Sequence, residues 1–292
     1  NYNNLIGVPL TLFDLQEEHR WAVVEMGMSA RGEIARLAEI ARPNIGLITN
    51  IGAGHLENFD GLSGVARAKG ELFISLPADG IALINVDDEE VRILPVANSV
   101  RRVTFGFNRN ADVRADNITV HNGSVSFNLI IAGAALRVIL PLPGRHNVAN
   151  ALAAAAAATV TGLSMQAIVA GLESFQPCPG RMELIELPGD VVVLEDSYNA
   201  NPLSVHAALD ALHDLGSPGR RIAVLADMLE LGPSAPELHQ QIGAIIPERA
   251  DWLFTYGSLA EEIARGARDA GLDDDRIFSA ANQDELIEHL LG

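Results

Sequence analysis

Two apolar rhythms alternate along this chain, and their order sets out an architecture. Short β-branched runs occupy residues 21–27 (WAVVEMG), 44–50 (NIGLITN), 80–86 (GIALINV) and 101–107, the first ending in Gly27. Runs of this kind lack the polar alternation of a half-exposed strand, so they predict strands buried on both faces of a parallel sheet. Between the first two, residues 33–40 carry the spacing of a crossover helix that Arg42-Pro43 stops, which makes a βαβ unit. Residues 62–76 predict a further helix, ending at the turn Pro77-Ala78-Asp79-Gly80. From Val113 to Leu142 the positions alternate instead, with Asn122-Gly123 and Ala132-Gly133 as turns, predicting a three-stranded antiparallel insert. An Ala-rich helix over residues 146–161 follows, then a helix that Ser164 caps and that runs to Leu172.

The pattern restarts after Cys178-Pro179-Gly180. Residues 182–187 and 191–195 predict a hairpin about Pro188-Gly189-Asp190. Helices at 203–215, 236–246, 259–270 and 283–291 then alternate with strands at 221–226 and 252–255, a second α/β unit of Rossmann type. The expected organisation is α/β throughout: a mostly parallel-sheet domain with a small antiparallel insert at residues 1–178, followed by a Rossmann-like C-terminal domain at 179–292.

Composition agrees with layered α/β packing, since 48% of the residues are hydrophobic and only 5% aromatic. At 292 residues the chain is long for one core. A net charge of −18 and the lack of a Lys/Arg stripe argue against nucleic acid and anionic membrane as partners. No apolar run is long enough for membrane insertion, and the first residues do not read as a signal peptide. The single cysteine, Cys178, fits a reducing compartment, so a cytoplasmic location is expected.

One residue stands out against this background. Of the 20 basic residues Lys69 is the only lysine, so a chain that otherwise uses arginine keeps one amine that can lose its proton and be modified. Glu25 lies near the carboxyl end of the first predicted strand, and Thr49, Asn50 and His55 lie at or beyond the end of the second, where ligands of open parallel sheets gather. Glu25 and His55 alone make a weak site for a hard cation such as Mg²⁺. Lys69 could complete it only after its amine had taken up carbon dioxide to become a carbamate. The alternative pairs Glu25 with Arg31 or Arg67, makes His55 a loop cap, and pairs Lys69 with Glu71 or a neighbouring helix. The one lysine is followed by Gly70, so no Walker A loop is present in these residues. His146, Asn147 and Asn150 stand where a loop enters a helix and could read a base or a phosphate, or Asn147 could simply cap the helix. The polar stretch 196–202 (DSYNANP) follows a strand and opens a helix at Pro202, and 227–232 (DMLELG) follows the next strand in the same way.

Taken in order, NYNNLIGVPLTL, VVEMG with GEI, TNIGAGHLENF, ARAKGEL, GRHNVANALAAAA, PGR, DSYNANP and DMLELG resemble the Mur ligase family over essentially the whole chain. The likeness is nearest to the branch that joins D-alanyl-D-alanine to UDP-N-acetylmuramoyl-tripeptide. It implies an ATPase-type central domain and an ATP- and Mg²⁺-dependent amide ligase of peptidoglycan precursor synthesis, acting as a monomer through an acyl-phosphate intermediate. It further implies that Glu25, His55 and carbamylated Lys69 hold the metal and carry catalysis. His146 and Asn147 would meet the adenine, and Arg181 and Asp196 would reach the nucleotide from the C-terminal domain. Asn3, Asn4, Thr49 and Asn50 would line the substrate side, with Asn199 and Asn201 at the dipeptide. Members of the family also carry an N-terminal UDP-binding domain and a Gly-Lys-Thr phosphate loop, which these residues lack, so the 292 residues alone are expected not to turn over ATP. A sister ligase with another amine acceptor, of Mur or folylpolyglutamate-synthetase type, and a noncatalytic binding module are the competing readings.

Overall fold

A computed structural model describes residues 2–52, 56–121, 123–216 and 219–291. They form two compact units. The first gathers the described residues up to Asp116 with Leu129–Ala135 and Ala149–Ile168; the second holds Asn117–Asn128, Leu136–Val148 and the chain from Val169 onward.

In the first unit, α1 (Gly7–Phe13), α2 (Glu33–Ala41) and α3 (Gly61–Ile74) accompany β1 (Ile45–Ile48), β2 (Ile81–Asn85) and β3 (Arg101–Gly106), with the single turn α4 (Glu89–Arg92) after β2. These strands are parallel, Ile45 standing opposite Ile81 and Ile81 opposite Arg101. The apolar face of α3 explains its place: Val65, Ala66, Ala68 and Phe73 are buried with Leu37 of α2 and with Ile48, Ala82 and Ile84 of the sheet. β4 (Val113–His121), β5 (Ser124–Ile131) and β6 (Ala134–Leu140) extend the sheet in the order β1-β2-β3-β4-β5-β6. Adjacent strands joined by two residues can only run antiparallel, so the insert expected from the alternation is present as a continuation of the main sheet. β3 meets β4 in parallel over Phe105–Val113 and Gly106–Arg114. The carboxylate of Asp87 fixes this corner by accepting from the Phe107 and Asn108 amides. Gly106, at φ 148°, is required there because a Cβ would meet that carboxylate.

The expected strand at residues 21–27 does not form. The segment has no ladder, and Val23 is 99% and Trp21 60% exposed. Among the described residues no strand of the six-stranded sheet pairs with this run, and the expected βαβ unit is reduced to α2 and β1. An apolar run becomes a strand only against a neighbour. At its end the Gly27 amide donates to Asn3 O at 2.7 Å. Helix α1 was not expected from the sequence; Asn4 Oδ1 accepts from the Ile6 and Gly7 amides at its start. Helices α5 (Arg145–Val160) and α6 (Met165–Glu173) follow as expected, with Ser164 Oγ accepting from the Ala167 amide.

In the second unit, β7 (Glu183–Leu187) and β8 (Val191–Glu195) make the expected antiparallel hairpin. α7 (Pro202–Asp214), β9 (Ile222–Ala226), α8 (Ala235–Arg249), β10 (Trp252–Tyr256), α9 (Ala260–Asp269), β11 (Ile277–Ala280) and α10 (Gln283–Leu291) then alternate around a parallel sheet ordered β11-β10-β9. Strand β11, not expected from the sequence, completes that sheet. Helices α8 and α9 cross through a pair of glycines: a Cβ on Gly243 would enter the carbonyl oxygen of Ile263, and one on Gly266 the carbonyl oxygen of Gln240. Small residues at both positions let two backbones touch, and Ile242, Ile246, Ile263 and Ala267 bury around the contact.

Candidate active site

The residues expected to carry chemistry are distributed over both units. In the first, Asn3 Nδ2 donates to Glu25 Oε1 at 2.8 Å. Among the described residues Glu25 makes no ion pair with Arg31 or Arg67, so the amide of Asn3 replaces that expected partner. Lys69 projects from α3 and its Nζ donates to Asn50 O at 2.9 Å. The alternative partner Glu71 is engaged elsewhere, accepting from the Gly32 and Ala35 amides at the start of α2. Residues two apart on a helix do not share a face, so Lys69 and Glu71 diverge. His55 lies outside the described residues.

The backbone around Asn50 is gripped at three successive residues. Asn85 Nδ2 donates to Thr49 O at 2.7 Å, Lys69 Nζ to Asn50 O, and the Ile51 amide donates to Asp88 Oδ2 at 2.8 Å. The other oxygen of Asp88 accepts from the Val91 amide and caps α4. Asn85 is buried and Lys69 and Asp88 are half-buried, while Thr49 and Asn50 are exposed. Burial pushes the Lys69 amine below the usual lysine value, against the opposing pull of the Asp88 charge. A larger neutral fraction is what an amine needs to attack carbon dioxide. Asn85 and Asp88 were not singled out in the sequence. The signal available was NVDDEE, an amide and two carboxylates directly after a buried strand.

In the second unit His146 and Asn147 sit in the first turn of α5. Asn147 is buried, and its Nδ2 donates to Pro143 O at 2.8 Å, folding the amide onto its own loop. Burial holds the His146 imidazole below its ordinary value, opposed by the charge of Asp210, which is itself paired with Arg249 and His206. The folded state therefore takes up this proton less readily than the unfolded chain, whose histidine titrates near ~6.5. Stability contributed by neutral His146 is complete above that range and declines as pH falls through it toward the lower folded value. An NMR titration is expected to show the His146 ring titrating below the ordinary histidine value, and His146→Gln is expected to flatten the loss of stability between neutral and mildly acid pH; an ordinary His146 titration would refute both.

Arg181 and Asp196 flank the mouth of the β7–β8 hairpin. The guanidinium of Arg181 lies 4.0 Å over the Tyr198 ring, and the Met182 amide donates to Asp196 Oδ1 at 3.1 Å. Burial raises the Asp196 carboxyl, which that amide and Arg181 partly counter. Asn201 caps α7, accepting from the Leu203 and Ser204 amides in a reciprocal box with Ser204, whereas Asn199 is exposed. The DMLELG loop is fixed from below by a residue the sequence reading passed over. His239, fully buried, accepts from the Met228 amide at Nε2, which makes Nδ1–H the donor to Ala235 O. Asp227 Oδ1 accepts from the Leu259 and Ala260 amides and so caps α9. Among the described residues no three His, Cys, Asp or Glu side chains cluster to hold a metal, and no helix is long and apolar enough to cross a membrane.

A parallel sheet with exposed polar residues beyond β1, followed by a second parallel-sheet unit with polar loops at its strand ends, defines a modular α/β protein. Residues 1–158 match the Mur ligase middle domain and residues 180–292 the Mur ligase, glutamate ligase domain, and the chain belongs to the Mur ligase family. It is 44% identical over 294 residues to the UDP-N-acetylmuramoyl-tripeptide–D-alanyl-D-alanine ligase of Escherichia coli K12, covering 100% of this chain and 60% of that protein. To the ligase of the same name from Bacillus subtilis 168 it is 36% identical, covering 99% and 62%. MurF from Acinetobacter baumannii superposes with a TM-score of 0.90 at 34% identity, over 100% of this chain and 62% of that one. The chain thus spans about three fifths of the length of these relatives.

Proposed function

We propose that this chain supplies the middle and C-terminal domains, dividing near Cys178, of an ATP-dependent ligase that adds D-alanyl-D-alanine to UDP-N-acetylmuramoyl-tripeptide. The observation that carries the reading is the unbroken likeness to D-alanyl-D-alanine-adding ligases along the entire chain, 44% identical to the Escherichia coli protein, with both units included. The peptide's terminal carboxylate oxygen attacks the γ-phosphorus of ATP, the bond to the β-phosphate oxygen breaks, and ADP leaves. The dipeptide amine then attacks the acyl carbon, the bond to phosphate breaks, and the amine gives up a proton.

The residues present suit this chemistry. Asn3 takes one oxygen of Glu25, and among the described residues the other has no partner, which is the hard donor Mg²⁺ prefers. Glu25, with His55 and a carbamylated Lys69, would hold Mg²⁺, which when bound stabilises the charge on the transferring phosphoryl group. Thr49 and Asn50 present their side chains to the tripeptide, alongside Asn3 and Asn4. His146 and Asn147 serve the adenine, Arg181 and Asp196 the phosphates, and Asn199 and Asn201 the dipeptide. The enzyme acts as a cytoplasmic monomer.

The test uses the purified full-length protein with ATP, Mg²⁺ and the UDP-linked tripeptide, following phosphate release. Release is expected with D-alanyl-D-alanine and not with single amino acids. Ligation of a single amino acid alone would overturn the acceptor, and no release with any amine would overturn the ligase reading.

A further inference from the structure

Rigid backbone and open side chains coincide at one place in the first unit. Residues 49–51 follow β1, and their main chain is held at three consecutive positions by Asn85, Lys69 and Asp88. A solvated turn needs no such restraint, because water satisfies exposed carbonyls and amides at little cost. Thr49 and Asn50 are exposed, and among the described residues neither side chain has a hydrogen-bond partner. The arrangement therefore fixes a backbone while leaving its polar side chains available to a ligand, the design of a preorganised binding segment.

We propose that Asp88 is a positioning residue for the substrate-binding segment 49–51. This rests on the ligase reading above, which places the UDP-linked tripeptide against Thr49 and Asn50. The geometry of Asp88 sets it apart from the other two holders. Its carboxylate divides between two tasks, Oδ2 accepting from the Ile51 amide and Oδ1 from the Val91 amide at the start of α4. One carboxylate thus ties the segment to the helix that follows β2. An asparagine at this position offers one acceptor for the two amides. A serine retains a good helix cap and is too short to keep the second bond.

Asp88→Ser separates the two tasks. By amide hydrogen exchange on this chain, Ile51 is expected to exchange at least ~10-fold faster in the variant while Val91 remains protected. In the full-length enzyme kcat/KM for the UDP-linked tripeptide is expected to fall by about 10–100-fold, since a small misplacement of binding groups is costly, with KM for D-alanyl-D-alanine unchanged. Unaltered Ile51 exchange would overturn the proposal, as would released Ile51 with wild-type kcat/KM. Loss of Val91 protection or an equal loss on both substrates would reduce Asp88 to a structural cap and overturn it too. If the wild-type full-length protein shows no ligation, the ligase reading fails, and the exchange experiment still reports on the clamp.

Discussion

Lys69→Ala in the full-length ligase is expected to lower kcat by about 1,000-fold, the scale on which removing a preorganised stabiliser of transition-state charge acts. The substitution removes two things at once: the donor to Asn50 O, and the only ε-amine that could carry a carbamate. Lys69→Arg separates them, because arginine keeps a charged donor and does not lose its proton to react. If the carbamate carries the role, the arginine enzyme is as impaired as the alanine enzyme, and small carboxylates such as acetate restore part of the activity of Lys69→Ala. Wild-type protein under ¹³C-labelled carbon dioxide is expected to give one carbamate resonance beyond any at the amino terminus, absent from Lys69→Arg. Full activity in Lys69→Ala would end both roles.

Gly243→Ala and Gly266→Ala are each expected to destabilise the second unit by about 3 kcal/mol or more, since overpacking against an immovable neighbour exceeds ordinary core crowding. In both cases the added methyl meets a backbone carbonyl of the facing helix, which cannot rotate aside as a side chain would. Melting followed by circular dichroism is expected to fall by about 10 °C or more for each variant. The two share one contact, so the double variant should lose less than the sum. An unchanged midpoint would show that α8 and α9 separate freely.

The main elements were legible because periodicity and breakers are local. Residues 44–50 and 62–76 became β1 and α3, and the turn signals at Asn122-Gly123 and Ala132-Gly133 marked the insert. What failed depended on partners. Residues 21–27 carry a strand's composition, but a strand is made by its neighbour and this one has none among the described residues. Helix α1 hides in an Asn-rich stretch containing Pro9, and β11 is only four residues long, so neither rises above its polar surroundings. The site was legible in its residue types and not in its pairings. Lys69 could be picked out by composition, yet its partner is a carbonyl nineteen positions away, which no side-chain pattern announces. Asn85, Asp88 and His239 act on main-chain atoms, and for that reason they resemble ordinary loop and core residues in the sequence.

The stack of Arg181 on Tyr198 bears on selectivity. A guanidinium resting on a ring gains roughly 0.5–1 kcal/mol at an exposed site, and an anion that recruits it must first draw it away. That sets a threshold: a diffuse, singly charged anion gains little from Arg181, whereas a polyphosphate recovers the loss through several charge-assisted bonds. Where Arg181 serves the phosphates, as proposed above, Tyr198 is the contact that an incoming anion has to displace.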